Sequence, residues 1–177
     1  MTPITFITGG SRSGKSTMAR GKISPYPRKT FLATAEITDE EMARRIEKHQ
    51  KERGDDFQTI EEPLHLVEAI RREAYQTDAI LVDCLTFWLN NLFHHFGHDF
   101  INHEIEDFLK ILDEKPVPLI LVSNEINMGV VPPDSLSRCF VDQQGWLNQE
   151  VARRADEVIF MISGIPQWLK GAPLFTR

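Results

Sequence analysis

This 177-residue chain has little cysteine, no long hydrophobic run and no excess of basic residues. Cys84 and Cys139 are too few for a disulfide framework or a zinc finger, which predicts buried or idle thiols in a reducing compartment. No segment approaches the roughly 18 consecutive apolar residues of a transmembrane helix. Residues 1–14 lack the basic start and unbroken apolar run of a signal peptide. Because the net charge is −6, a generic nucleic-acid surface is not expected either. We therefore expect a cytoplasmic protein without a membrane span or a nucleic-acid partner.

The rest of the composition is that of an ordinary globular protein, with 41% hydrophobic and 26% charged residues. Apolar, β-branched segments alternate with helical ones, and several of the segments that predict strands are apolar throughout. This pattern predicts one α/β domain over residues 1–177, with helices on both faces of a mainly parallel sheet. We expect strands at 4–8, 30–34, 57–60, 79–82, 117–122 and 157–162, helices at 15–22, 38–53, 64–75, 85–96, 100–112 and 135–155, a loop at 124–134 and an irregular tail at 164–177.

The turn after the first strand fits the phosphate-loop pattern G-x-x-x-x-G-K-[ST]. Its members are Gly9, Gly10, Ser11, Arg12, Ser13, Gly14, Lys15 and Ser16. Glycines let backbone N–H groups converge on phosphate oxygens, and the helix N-terminus adds partial positive charge. Lys15 is expected to reach the β and γ phosphates of a nucleotide, and Ser16 to ligate Mg²⁺. The motif therefore predicts a P-loop NTPase-like three-layer α/β fold with a mainly parallel sheet.

Asp83 stands at the end of the apolar strand 79–82, where P-loop folds carry a second acidic residue. There it would hold Mg²⁺ directly or through water. The alternative is that Asp83 caps the helix that begins at Leu85, and the two roles are compatible.

A regulatory GTPase is disfavoured by the motifs that follow. The D-x-x-G sequence expected after the second acid is absent, since the chain reads Asp83-Cys84-Leu85-Thr86 there. The match at residues 142–145 lies inside a predicted helix, and a guanine-reading N-K-x-D motif is absent. A group-transfer enzyme is therefore the better prediction.

His49 lies on the predicted helix 38–53, which Thr38 and Glu41 would cap and Gly54 would end. At helical spacing it shares a face with Met42 and Ile46, between Arg45 and Arg53. Spacing alone leaves two interpretations, a packed histidine or a functional one beside phosphate-binding arginines. The remaining group, His94, His95, His98 and His103, lacks the glutamate or cysteine partners of a metal site, which is not expected there.

The ordered set of motifs resembles the bifunctional adenosylcobinamide kinase/adenosylcobinamide-phosphate guanylyltransferase family of cobalamin biosynthesis. The resemblance covers residues 4–164 and is much more specific than the phosphate loop alone. The residues that carry it are 8–16, 33–35, 39–46 with His49 and Gln50, 59–63, 81–86 with 90–92, 122–125 with 128–132, and 148–158.

The resemblance implies two reactions. ATP or GTP phosphorylates the aminopropanol hydroxyl of adenosylcobinamide, and GTP then donates GMP to that phosphate. The products of the second step are adenosyl-GDP-cobinamide and pyrophosphate. The resemblance also implies that His49 carries the GMP covalently and that the active protein is a homo-oligomer, and it suggests a homotrimer. The implied nucleotide contacts are the phosphate loop, Thr34, Ala35, Glu36, Lys51, Glu52, Arg53, Gly54, Glu61 or Glu62, and Asp83.

Three hypotheses follow from the sequence. The first is the bifunctional corrinoid enzyme, with Mg²⁺ as its cofactor. The second is a P-loop small-molecule kinase without guanylyl transfer, in which His49 merely packs. The third is a nucleotide-binding subunit without enzymatic activity. Trapping of GMP on the protein separates the first hypothesis from the other two.

Overall fold

One seven-stranded sheet organises the chain in a computed structural model that describes residues 2–37, 39–41, 43–44, 47, 57–97 and 101–171. The strands are β1 (Ile4–Gly9), β2 (Lys29–Ala33), β3 (Gln58–Glu61), β4 (Ala79–Asp83), β5 (Leu119–Val122), β6 (Glu157–Ile162) and β7 (Ile165–Lys170). The helices in these ranges with defined bounds are α1 (Lys15–Ile23), α2 (Leu66–Glu73), α3 (Leu85–Phe96), α4 (Ile101–Glu114) and α5 (Ser135–Arg154).

The strand order is β3-β2-β4-β5-β1-β6-β7, and every neighbouring pair is parallel except β6 with β7. The predicted mainly parallel α/β sheet is therefore confirmed. The interior strand β1 is buried along its whole length, as expected of a parallel strand that is covered on both faces.

Two apolar clusters fill the two sides of the sheet. Ile4 and Phe6 of β1 point to one side, where they join Trp88 and Phe108 from the helices. Ile7 points to the other side, which it shares with residues of α1 such as Ala19 and Ile23. The alternation follows from the two-residue period of a strand, and it gives the predicted three layers.

The prediction of an irregular tail is wrong for residues 165–170. These residues form β7, which pairs antiparallel with β6 through a two-residue turn. Ser163 and Gly164 both have positive φ, 51° and 84°, as a tight hairpin of this kind requires. The strand was not predicted because Pro166 interrupts the pattern expected of a strand. Proline is tolerated here because β7 is an edge strand. Residues 172–177 lie outside the described residues.

The predicted helix 38–53 falls largely outside the described residues, including Thr38 of its capping box and Gly54 at its end. Within the part described, residues 40, 41, 43, 44 and 47 are helical, and the Ala43 N–H donates to the Asp39 carbonyl at 3.0 Å. Across the described ranges, none of the helices is both long and apolar enough to cross a membrane.

Candidate active site

The phosphate loop links the end of β1 to the start of α1, as the sequence predicts. Gly9 and Gly14 adopt φ values of +146° and +97°, which side-chain-bearing residues rarely adopt. Gly14 occupies the N-cap position of α1, so the loop delivers the helix N-terminus directly to the site. A Cβ atom on Gly9 would collide with the carbonyl oxygen of Met161 in β6. The loop therefore lies against β6 as well as between β1 and α1.

Lys15 is folded into this loop and is 8% exposed. Its Nζ donates to the carbonyl oxygens of Gly9 and Gly10, at 3.0 and 2.6 Å. Burial lowers the pKa of Lys15, while the nearby Cys84 and Asp83 act in the opposite direction. The ammonium group is thus held at the mouth of the loop, where the terminal phosphates of a nucleotide would lie.

Ser16 and Asp83 meet at the carboxyl edge of the sheet. The Ser16 Oγ donates to Asp83 Oδ2 at 3.0 Å, and both residues are partly exposed. Cys84, rather than Asp83, occupies the N-cap position of α3. The structure therefore does not support the alternative in which Asp83 is the cap of this helix. A hydroxyl and a carboxylate side by side are the oxygen ligands that Mg²⁺ prefers, and this donor set fits the expected metal.

Cys84 is buried directly behind this pair. Burial and the neighbouring Asp83 raise the pKa of its thiol to about 12. The group therefore remains a neutral thiol at physiological pH, which makes it a poor nucleophile. This agrees with the prediction of a buried, idle thiol.

Thr34 and Asn91 hold the end of β2 in place. The Thr34 Oγ1 donates to the Cys84 carbonyl at 2.7 Å and accepts from the Cys84 N–H at 2.8 Å. The Asn91 Nδ2 on α3 donates to the carbonyls of Thr34 and Pro63, at 2.7 and 3.1 Å. One buried amide thus ties together two segments with predicted nucleotide contacts. The sequence identifies Asn91 only as part of a family motif, because its partners are far away in the chain.

The glutamates near the site differ in their partners. The Glu62 carboxylate accepts from the backbone N–H groups of Leu64 and His65 at the start of α2, at 3.2 and 2.8 Å. Glu36 lies beside the His95 ring, with Nε2 and Oε1 3.1 Å apart. Glu61 is the last residue of β3 and is exposed. Both hydrogen bonds reach the Glu62 carboxylate from the segment that precedes Leu66, the first residue of α2.

A polar network lies under the end of β5 and was not predicted as part of the site. Ser123 Oγ donates to Asn148 Oδ1 at 2.8 Å and accepts from Gln144 Nε2 at 3.0 Å. Asn148 Nδ2 in turn donates to the Asn124 carbonyl at 3.1 Å, and Thr86 Oγ1 accepts from the Asn124 N–H at 2.9 Å. Residues on α3, β5 and α5 are therefore joined beside the phosphate loop. Their spacing in the sequence gives no signal of this, since it arises from the fold.

Several predicted residues lie outside the described part of the chain, namely His49, Lys51, Glu52, Arg53 and Gly54. The predicted contacts at Thr34, Ala35, Glu36 and Glu61 lie at or just after the ends of β2 and β3, on the same sheet edge as the phosphate loop. The structure thus brings together the described members of the predicted site.

The histidine group is divided between two helices, with His94 and His95 near the end of α3, where His95 contacts Glu36, and His103 on α4. His103 contacts Asp107 on α4 at 3.2 Å, and His98 lies outside the described residues. In the ranges that the structure describes, no three side chains of His, Cys, Asp or Glu form a group that could hold a metal ion. Residues 142–145 lie within α5, as predicted.

A family model described as cobinamide kinase / cobinamide phosphate guanyltransferase matches residues 5–169. The chain belongs to this family. The resemblance found in the sequence is therefore confirmed, and family membership makes the chain a bifunctional kinase and guanylyltransferase.

Curated relatives agree with the family assignment. A bifunctional adenosylcobalamin biosynthesis protein CobP of Pseudomonas aeruginosa is 45% identical over 169 residues, covering 95% of this chain and 98% of the relative. Proteins named CobU, with the same description, from Escherichia coli K12 and Salmonella typhimurium are 36% and 37% identical, each over 90% of this chain and 95% of its own length.

A solved structure supports the fold alone. An ATPase from the type III secretion system of pathogenic bacteria superimposes with a TM-score of 0.55 at 11% identity. The match covers 89% of this chain and 50% of that protein. The fold is therefore an α/β P-loop NTPase fold, as the sequence predicts.

Proposed function

We propose that this chain phosphorylates adenosylcobinamide with ATP or GTP and then transfers GMP from GTP to the new phosphate. The products of the second step are adenosyl-GDP-cobinamide and pyrophosphate. The observation that carries the proposal is one complete phosphate loop, with Lys15 inside it and Ser16 beside Asp83, in a chain of the cobinamide kinase / cobinamide phosphate guanyltransferase family.

In the kinase step, the phosphate loop holds the β and γ phosphates. The acceptor hydroxyl attacks the γ phosphorus, the bond to the β–γ bridging oxygen breaks, and the nucleoside diphosphate leaves. Lys15, Arg12 and the N-terminus of α1 stabilise the negative charge that spreads over the transferred group. Ser16 and Asp83 would hold Mg²⁺, which when bound neutralises part of the phosphate charge.

In the guanylyl step, the same loop holds the leaving group. Attack at the α phosphorus releases the β and γ phosphates together as pyrophosphate, so one set of phosphate contacts serves both reactions. We propose that a ring nitrogen of His49 makes this attack and carries the GMP as a phosphoramidate, from which the cobinamide phosphate removes it. His49 must be neutral to attack, because an imidazolium has no available lone pair.

The nucleoside is proposed to lie over the ends of β2 and β3. Thr34, Ala35 and Glu36 follow β2, and Glu61 lies in register with Ala33 at the end of β3. A carboxylate can accept both the N1–H and the N2 amine of guanine. We propose Glu61 for this role, since it ends β3 on the carboxyl edge of the sheet. Lys51, Glu52, Arg53 and Gly54 are proposed to complete the nucleotide site.

The proposal extends to the whole chain. We propose a single P-loop transferase domain over residues 1–177 that works in the cytoplasm as a homo-oligomer, with a homotrimer as the expected form. Its partners are the small-molecule substrates ATP, GTP and adenosylcobinamide, with no nucleic acid. The family resemblance supports the homo-oligomer and the substrates, the alternation of strands and helices supports the single domain, the low cysteine content supports the cytoplasm, and the net charge of −6 argues against a nucleic-acid partner.

GTP labelled at the α phosphate tests the covalent step. The wild-type chain should retain label through denaturation, release it in acid and hold it in alkali, as expected of a histidine phosphoramidate. His49→Ala should stay unlabelled but still phosphorylate adenosylcobinamide, because the γ transfer uses the substrate hydroxyl as nucleophile. His103→Ala, an exposed histidine on α4, is the matched control and should label like wild type.

Two results would contradict the proposal. Full labelling of His49→Ala would move the nucleophile to another residue. A wild-type chain that phosphorylates the substrate without ever retaining label or forming the GDP product would support the alternative, a small-molecule kinase without guanylyl transfer.

A further inference from the structure

The end of β5 passes directly beside the phosphate loop. This strand lies between β4, which ends in Asp83, and β1, which enters the loop. Val122 is in register with both Asp83 and Ile7. The residues that follow Val122 therefore lie between the acidic residue and the phosphate-binding glycines.

Gly9 connects this segment to Lys15 through a single atom. The Gly9 carbonyl oxygen accepts from the Lys15 Nζ at 3.0 Å and from the Glu125 N–H at 3.1 Å. The Glu125 N–H and the Lys15 ammonium group thus bind the same carbonyl oxygen. Asn124, the residue before Glu125, therefore lies beside the phosphate loop.

The Asn124 side chain points to the α1 side of the sheet. Successive residues of an extended segment point to opposite faces. Val122 belongs to the apolar cluster on the α1 side, and Ser123 belongs to the network with α5 on the other side. Asn124 accordingly returns to the α1 side, where its Nδ2 lies 3.8 Å from the Cys84 Sγ.

The backbone of Asn124 is fixed at both of its polar groups. Its N–H donates to Thr86 Oγ1, and its carbonyl accepts from Asn148 Nδ2. The side-chain amide, in contrast, has a sulfur atom as its partner in the described part of the chain, and sulfur is a weak acceptor. The network positions this amide strongly while leaving its hydrogen-bonding capacity largely unused.

We infer that Asn124 is a further catalytic residue for the kinase reaction, whose side-chain amide donates a hydrogen bond to the transferred phosphoryl group. The inference rests on the proposed function. The acceptor oxygen–phosphorus bond forms, the bond to the bridging oxygen breaks with its electron pair leaving on the nucleoside diphosphate, and the hydroxyl proton passes to solvent. Asn124 gains and loses no proton. A neutral donor fixed before the reaction stabilises the developing charge without reorganisation.

The role is specific to one of the two reactions. In the kinase step, the γ phosphoryl group separates from the β phosphate, and the charge on the γ oxygens changes. In the guanylyl step, the γ phosphate stays bonded to the β phosphate and leaves as part of pyrophosphate. A donor to the γ group is then bound equally in ground and transition states, which does not accelerate the step.

The test compares two asparagines of the same segment, Asn124→Ala and Asn127→Ala. Asn127 is exposed three residues further on and serves as the matched control. We expect Asn124→Ala to lower kcat for phosphorylation of adenosylcobinamide by about a hundredfold. KM for ATP and the rate of guanylyl transfer to pre-formed adenosylcobinamide phosphate should change by less than about threefold. Asn127→Ala should match wild type in both reactions.

A second variant separates donation from packing. Asn124→Asp keeps the shape of the side chain but replaces the N–H donors with acceptors, so its kinase kcat should fall at least as far as that of Asn124→Ala. The melting temperature of both variants should stay near that of Asn127→Ala. A kinase kcat within about threefold of wild type in either variant would overturn the inference. So would an equal loss of both activities together with a lower melting temperature, since that pattern belongs to a structural role.

The assay of the wild-type chain distinguishes a failure of this inference from a failure of the proposed function on which it rests. If the wild-type chain does not phosphorylate adenosylcobinamide, the proposed function fails and the inference fails with it. If wild type is active and the Asn124 variants are equally active, the inference alone is wrong.

Discussion

At the scale of single residues, the site depends on a few polar contacts within the phosphate loop and at the end of β4. The Ser16 hydroxyl donates to Asp83, and Lys15 donates to two loop carbonyls. Asp83 is partly exposed at the end of β4, so its carboxylate is available to the site and contributes little to the apolar core. Replacement of Asp83 should therefore lower activity more than it lowers stability.

Asp83→Asn should raise the Mg²⁺ concentration needed for half-maximal activity by about tenfold or more in both reactions. The amide keeps the size of the side chain but loses the negative charge that favours a divalent cation. Activity titrated against Mg²⁺ measures this, with the melting temperature recorded alongside. Asp78→Asn, at the opposite end of the same strand and paired with Arg28, is the control and should leave the Mg²⁺ titration unchanged. Identical titrations for wild type and Asp83→Asn would remove Asp83 from the metal site.

Sequence reasoning identified the residues that belong to short motifs and missed those defined by distant contacts. Gly9 to Ser16 and Asp83 could be predicted because a local pattern after a strand specifies them. Asn91 and Asn124 could not be assigned roles, since their partners are brought close only by the folded sheet.

At the scale of elements, the β6–β7 hairpin supports the phosphate loop. The Gly164 N–H at its turn donates to the Ser13 carbonyl at 2.9 Å, and the Met161 carbonyl lies against Gly9. The sequence predicted β6 from its apolar run but not β7, because an edge strand with a proline has no strong periodic pattern. This contact between loop and hairpin was missed for the same reason.

Gly9→Ala should destabilise the protein through that contact, whereas Gly10→Ala should not. An alanine Cβ at Gly9 meets the Met161 carbonyl and sits at a φ of +146°, while a Cβ at Gly10 has nothing within 4 Å. Backbone strain of this kind costs about 1–3 kcal/mol, and each kcal/mol lowers the melting temperature by about 2–4 °C in a protein of this size. Thermal unfolding of the two variants is the measurement. Equal melting temperatures would mean that the loop does not depend on close packing against β6.

At the scale of the whole molecule, the described functional groups gather at the carboxyl edge of one parallel sheet. Residues at the ends of β1, β2, β3, β4 and β5 all contribute. Parallel strands that run in one direction bring their carboxyl ends together, so this position could be predicted once the strands were recognised. The central claim is that a single phosphate loop serves two transfers at different phosphorus atoms.

Lys15→Ala tests that claim most directly, with phosphorylation and guanylyl transfer assayed separately. Lys15 lies within the loop and contacts the carbonyls of Gly9 and Gly10, so it is placed to bind the β and γ phosphates in both reactions. Lys22→Ala, on the same helix but paired with Glu157, is the control and should retain both activities. We expect Lys15→Ala to lower both rates by about a hundredfold or more. Normal guanylyl transfer to pre-formed adenosylcobinamide phosphate, with only the kinase lost, would show that GTP binds elsewhere and would contradict the account.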